Sequence, residues 1–319
     1  MSNGETIPKD INDALEIFKK ESKRINDDIF KELISNKKLP PIIYHYTNDI
    51  GLRGILETGK LRLTDIFALN DPSELKHGLL PLKKAIDDEI NDGHTEGKRI
   101  VEWLEVFMNK KLFKKLAFYC ICSFSSCEKD LGQWRAYADN GRGFAIGFDR
   151  KILEEAFKDD GTSNQIFSTF PVVYDDTSLI NAHRNRIKAL FRDVPLRREE
   201  FSDDKLFSDE LMLPLVSDSL STALYFKHTA YSNEQEYRFL QLHSADPPPI
   251  LKKRYRNYSL IKYREFDWLN LAPKALKEII IGPSEDDQQK AHKFAEDCLQ
   301  AAGIDSVKVI DSDIPYRAL

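Results

Sequence analysis

Apolar residues recur at helical spacing over residues 11–36, at Ile11, Leu15, Phe18, Ile25, Ile29, Phe30 and Leu33, with polar residues between them. This period predicts a leading amphipathic helix, ended by Pro40 and Pro41. The stretch 41–47, PIIYHYT, then reads as a short strand. A short helix follows, with Asn48 or Asp49 as its N-cap and Gly59 as its stop, and KLRLT (60–64) alternates as a second strand. Helices are predicted at roughly 73–90 and from Gly97 to about Lys115, around a polar loop at 91–97. LAFYCICSFS (116–125), GFAIGFD (143–149), QIFSTFPVVYDD (165–176), EQEYRFLQL (234–242), SLIKYREFDWL (259–269), LKEIIIGP (276–283) and SVKVID (306–311) read as strands or contain them. Helical stretches lie between several of them: a short one in LGQWRAYADNGRG, another at 150–158, and a charge-rich run at 177–232. Ser284 with Asp287 resembles a capping box opening a helix to about Ala302.

Strands arrive singly, at irregular intervals, with no internal repeat. That pattern predicts an α+β fold: a mixed, largely antiparallel central sheet with surrounding helices. The organisation expected is an N-terminal helical appendage at 1–39 and a core at 40–319, with a helical insertion at about 177–232.

Composition narrows the class. The chain has 319 residues, 41% of them hydrophobic, and a formal net charge of −5. That is enough apolar material for a sizeable core, and it excludes a disordered chain. The net charge points to neither a nucleic-acid coat nor a membrane-surface protein, although a local basic patch can hide in an acidic total. No run approaches the roughly 20 apolar residues of a membrane span, and MSNGETIPKD has no signal-peptide core, so a cytoplasmic protein is expected. Cys120, Cys122 and Cys127 lie close together without a second ligand pair, so they read as reduced small hydrophobes rather than a metal site. The P-loop, dinucleotide-fold, zincin and nucleophile-elbow signatures are absent.

Three constellations carry possible chemistry. On a strand, His45 and Thr47 share a face about 7 Å apart, offering a ring nitrogen and a hydroxyl. A satisfied core histidine would have the same pattern. Gln133-Trp134-Arg135-Ala136-Tyr137 sits on a helical turn, where Gln133 and Tyr137 align at i,i+4 and Arg135 is suited to clamp a phosphate. Helix-spaced aromatics serve equally as core. On a strand, Glu234, Glu236 and Arg238 project together, either as a solvated edge or as carboxylates that orient a sugar and stabilise an oxocarbenium cation.

Together the blocks YHYT…GL-x-GIL-x-x-G-x-L, LND-x-SE, SFS…QWRAYAD-x-GRG-x-AIGFD and E-x-E-x-R resemble a widespread bacterial family of unknown function, over about Tyr44 to Pro283. The opening block also resembles the start of the ADP-ribosyltransferase superfamily. That resemblance implies an ADP-ribosyltransferase-like core that uses NAD as substrate, as a transferase or an NAD glycohydrolase, with a role in toxin or phage-defence systems. It implies Glu236 as the catalytic acid with Glu234 as its E-x-E partner, and His45 and Thr47 holding ribose and nicotinamide. Tyr46 or Tyr137 would stack on the nicotinamide, and Arg135 or Arg238 would hold the pyrophosphate. Gln133 and Asn70 complete the cofactor-side set, and no metal is required. The partners implied are NAD and a macromolecular acceptor, protein or nucleic acid. Two other readings stay open. One is a metal-dependent nuclease using Asp71, Glu74, Glu234 and Glu236, against which stands the lack of any basic stripe. The other is a non-catalytic interaction module.

Overall fold

The computed structural model describes residues 6–35, 38–69, 74–108, 117–159, 165–244, 249–256, 258–284 and 288–316. The chain divides into two compact units. Residues 39–70, 117–172 and 230–319 form a sheet unit; residues 1–38, 71–116 and 173–229 form a helical unit. The leading helix α1 (Lys9–Ser35) belongs to the helical unit. So do the helices of 71–116, which group with the 177–232 segment and not with the sheet.

The sheet unit is α+β. Its ten described strands are β1 (Ile42–Thr47), β2 (Leu61–Asp65), β3 (Ala117–Ser125), β4 (Phe144–Asp149), β5 (Gln165–Pro171), β6 (Glu236–Ser244), β7 (Lys252–Arg256), β8 (Ser259–Phe266), β9 (Leu276–Ile281) and β10 (Lys308–Asp311). The main path runs β10-β9-β4-β1-β3-β2-β8-β7, with β6 on the other edge of β3 and β5 beyond it. Every strand pairing is antiparallel except β9 with β10. One face packs on α2 (Asp49–Thr58), α6 (Arg150–Asp159) and α9 (Gln288–Ala301) around Leu52, Leu56, Phe157, Ala295 and Leu299. Cys120 and Cys122 lie in this core, where burial pushes both thiols up to about 12, as expected of inert hydrophobes. The other face carries Tyr44, Tyr46 and Ala145 under Trp134 of α5 (Leu131–Tyr137).

Two elements differ from the sequence pattern. The strand expected at 234–242 begins at Glu236, because Gln235 adopts φ 43° and Glu234 ends a short turn, Thr229–Glu234. KKRYR, not read as a strand, forms β7, because it pairs along its length with β8. Gly141-Arg142-Gly143 is a backbone crossing: a Cβ on Gly143 would lie 2.3 Å from the Thr47 carbonyl oxygen, and Gly143 O accepts from Gly282 N at 2.8 Å. The capping box expected from Ser284 and Asp287 rests partly on residues outside those described.

The helical unit is built from α1, α3 (Glu74–Asn91), α4 (Gly97–Met108), α7 (Asp176–Asp193) and α8 (Leu213–Ala223). Helix α3 meets α8 closely at Gly78, where a Cβ would stand 2.3 Å from that of Ala223. At the centre, Arg186 is fully buried and donates to Ser22 at 2.9 Å, Thr222 at 3.0 Å, Ser219 at 3.3 Å and Asn26. Burial lowers its guanidinium to about 10. Arg186 also donates to Nδ1 of His183 at 3.1 Å, and His183 Nε2 lies 3.1 Å from Gly78 O. A carbonyl can only accept, so Nε2 carries the hydrogen and the ring is neutral.

Burial, and then the Arg186 charge, push His183 down from 6.5 to about 3. A depressed value means that the unfolded chain takes up the proton first, so stability is full above about pH 6.5 and declines as pH falls toward 3. The urea midpoint of the wild type should therefore fall more steeply between pH 7 and pH 4.5 than that of His183→Gln. Parallel profiles would remove His183 from the account of acid sensitivity.

Candidate functional site

The site lies within the sheet unit, where β3 serves two neighbours on one edge. Strand β1 pairs with it only at Tyr44 and Ser125, and β2 only at Thr64–Ile121 and Asp65–Cys120. Between these contacts, Cys122, Ser123 and Phe124 have no strand pairing on that edge among the described residues. The sheet is split there, and Ser123 is exposed in mid-strand.

Ser123 joins two of the predicted residues. His45 Nδ1 lies 3.0 Å from the Ser123 carbonyl oxygen, and the Ser123 hydroxyl donates to Glu236 Oε1 at 2.6 Å. The carbonyl fixes the hydrogen on Nδ1 and leaves Nε2 as an acceptor. Burial, with the positive charge of Arg254 adding to it, holds the His45 imidazole below its usual value and so neutral, despite the opposing Ser123 hydrogen bond. Glu236 also accepts from Arg238 Nε at 2.7 Å on Oε1 and from a terminal nitrogen of Arg238 at 2.9 Å on Oε2. Both partners are buried, at 7% and 2% exposure, which makes this a desolvated two-point ion pair.

The register separates the two ends. Tyr44, Ser125 and Glu236 are cross-strand partners and share a face with Ser123 and Arg238. His45 goes with the opposite face, its ring 5.7 Å from that of Phe124. Because β1 leaves β3 after one pair, the ring reaches back to the strand edge and not to the face of Glu236.

The remaining predicted residues divide. Tyr137 is partly exposed, and its hydroxyl lies 3.5 Å from Glu234 Oε1, so these two meet although Glu234 is off the strand. The expected same-face row of Glu234, Glu236 and Arg238 is thus reduced to Glu236 and Arg238. Tyr46 is buried edge-on against Trp134 at 4.9 Å and donates to Cys127 O at 2.7 Å, so its ring is a core element and no stacking platform. Thr47 Oγ1 occupies the space where a side chain on Gly51 would stand, facing the first turn of α2. Arg135 is exposed on α5 and Gln133 is buried there. Asn70 and Asp71 lie outside the described residues, as does the side chain of Glu74. Among the described residues, no group of three His, Cys, Asp or Glu is placed to hold a metal ion.

The sequence reading missed Ser123, the residue on which the site turns. Its only signal was a polar side chain within an apolar strand. It also missed Arg254, whose strand was not recognised, and Tyr44, whose hydroxyl lies 2.8 Å from both Glu128 and Glu278.

Compared with known families, residues 133–239 match one described as "Protein of unknown function (DUF2971)". The match takes in Gln133, Arg135, Tyr137, Glu234, Glu236 and Arg238, and stops short of His45 and Ser123. No curated protein and no solved structure matches the chain. Among the described residues, no helix is long and apolar enough to cross a membrane.

Removing Arg238 takes the guanidinium counter-charge from a buried carboxylate. Arg238→Ala should cost about 3–5 kcal/mol in chemical denaturation. The double replacement Glu236→Leu/Arg238→Met should recover most of that loss. Equal losses in the two variants would show that packing, and not the unpaired charge, sets the cost.

Proposed function

We propose that the sheet unit is an NAD-consuming enzyme of the ADP-ribosyltransferase type, as a transferase or an NAD glycohydrolase. The observation that carries this reading is the buried Glu236 carboxylate, held in one orientation by Ser123 and Arg238; His45 reaches Ser123 only at the strand edge, from the opposite face of the sheet, which counts against a single site shared with Glu236. Loss of nicotinamide from NAD leaves a cation on the ribose carbon, and fixed negative charge beside that carbon lowers the barrier. Glu236 supplies the charge. Ser123 and Arg238 hold its carboxylate in one orientation, so no reorganisation is needed as charge develops. His45 Nε2 accepts from a ribose hydroxyl or the nicotinamide amide, its orientation set by the Ser123 carbonyl. Tyr137 is the exposed aromatic available for stacking, and Arg135 the exposed cation available for the pyrophosphate. An α+β unit with a largely antiparallel sheet supports the same reading.

A second reading, a non-catalytic interaction module, is favoured by one feature. Both oxygens of Glu236 are engaged by Arg238 and Ser123, as in a purely structural pair. In the enzyme reading a ribose hydroxyl approaches Glu236 alongside these donors.

With adenine-labelled NAD and candidate protein, RNA and DNA acceptors present, the wild type should release nicotinamide. Glu236→Gln should slow release by ~100-fold or more, and His45→Ala should weaken NAD binding. No release and no NAD binding by folded wild-type protein would leave the interaction module.

A further inference from the structure

The chain is acidic overall, and a basic stripe was not recognised in its sequence, yet residues 252–264 are one: they carry Lys252, Lys253, Arg254, Arg256, Lys262 and Arg264 with no Asp or Glu. The fold gathers these residues on one hairpin, β7–β8, at the end of the strand path. Lys252 is spent in an ion pair with Glu265 at 2.7 Å. Among the described residues, no carboxylate pairs with Lys253 or Lys262 on the face that these form with Tyr255 and Leu260. Lys253 and Lys262 stand directly opposite each other, and so do Tyr255 and Leu260. Like charges opposed across a strand pair weaken it. Here that cost is borne beside a tyrosine 85% exposed. At the tip, Tyr258 is fully exposed and holds φ 60°, a backbone position where glycine is the unstrained residue. Two exposed aromatic rings thus stand beside opposed cations.

We infer that the β7–β8 hairpin binds single-stranded nucleic acid. Lys253 and Lys262 would neutralise successive phosphates, and Tyr255 and Tyr258 would present ring faces for unpaired bases to stack on. The exposed rings favour this partner over an acidic peptide, which would use the charges and leave the aromatics idle. They also favour a single strand over a duplex, whose bases are already stacked. The surface stands whether or not the chain consumes NAD.

The test uses the full chain without NAD and a fluorescein-labelled 15-nucleotide oligothymidylate, followed by anisotropy. Binding should weaken along a straight line of log affinity against log salt. Lys253→Glu/Lys262→Glu should weaken it at least tenfold and flatten that line. Tyr255→Ala/Tyr258→Ala should weaken it about tenfold or more, with Tyr→Phe at both sites retaining wild-type affinity. Melting curves that match the wild type keep these changes local. The inference is overturned by absence of binding, by equal or tighter binding of a duplex of the same length, by displacement with polyglutamate at equal charge, or by variants that bind as the wild type does.

Discussion

The candidate site depends on one constraint: the edge of β3 is shared by two strands that do not meet. A strand in mid-sheet ordinarily has its peptide groups paired on both sides. Here β1 takes Ser125, β2 takes Ile121 and Cys120, and the three residues between have no strand partner on that edge among the described residues. The ring of His45 supplies a donor to the Ser123 carbonyl. The gap therefore fixes the tautomer of the histidine and exposes a serine in mid-strand, while the unbroken pairing of β3 with β6 on the other edge sets that serine's hydroxyl against Glu236. Removing the split would pair Ser123 and leave His45 as an ordinary core residue.

A second, separate constraint organises the helical unit. The donors of Arg186 are shared by Ser22, Asn26, Ser219, Thr222 and neutral His183. Asp218 contributes only through its field. A buried guanidinium held by hydroxyls and amides costs desolvation free energy, and its merit is geometric, since it ties α1, α7 and α8 to one point. The two units thus handle buried charge differently, one with a two-point ion pair and one with a neutral cage.

Much of the fold was legible because period and punctuation agree. Leu52 and Leu56 at i,i+4, the Asn48 cap and the Gly59 stop place α2 correctly, and the alternation of β3 puts Cys120 and Cys122 on one buried face. The strand start at Glu234 failed because Gln235 turns through positive φ, a conformation that its residue type does not advertise. β7 was missed because KKRYR is almost wholly charged, and its pairing comes from β8 and not from burial of its own side chains. Tyr46 looked free to stack, but the aromatic pairing with Trp134 had already claimed it.

By itself, the sequence determined the α+β class, the positions of most strands and the residue types able to hold a sugar, a phosphate or a developing cation. These follow from local preference and hydrophobic period, which act over a few residues. The tertiary structure alone decided which of those residues meet. His45, Ser123 and Glu236 are far apart along the chain; Ser123 meets Glu236 through the register of β3 with β6, and His45 meets Ser123 where β1 parts from β3. Likewise, the opposed lysines of the basic hairpin exist only once β7 and β8 are in register. Register and strand order are set by the packing of the whole sheet, and no local pattern encodes them.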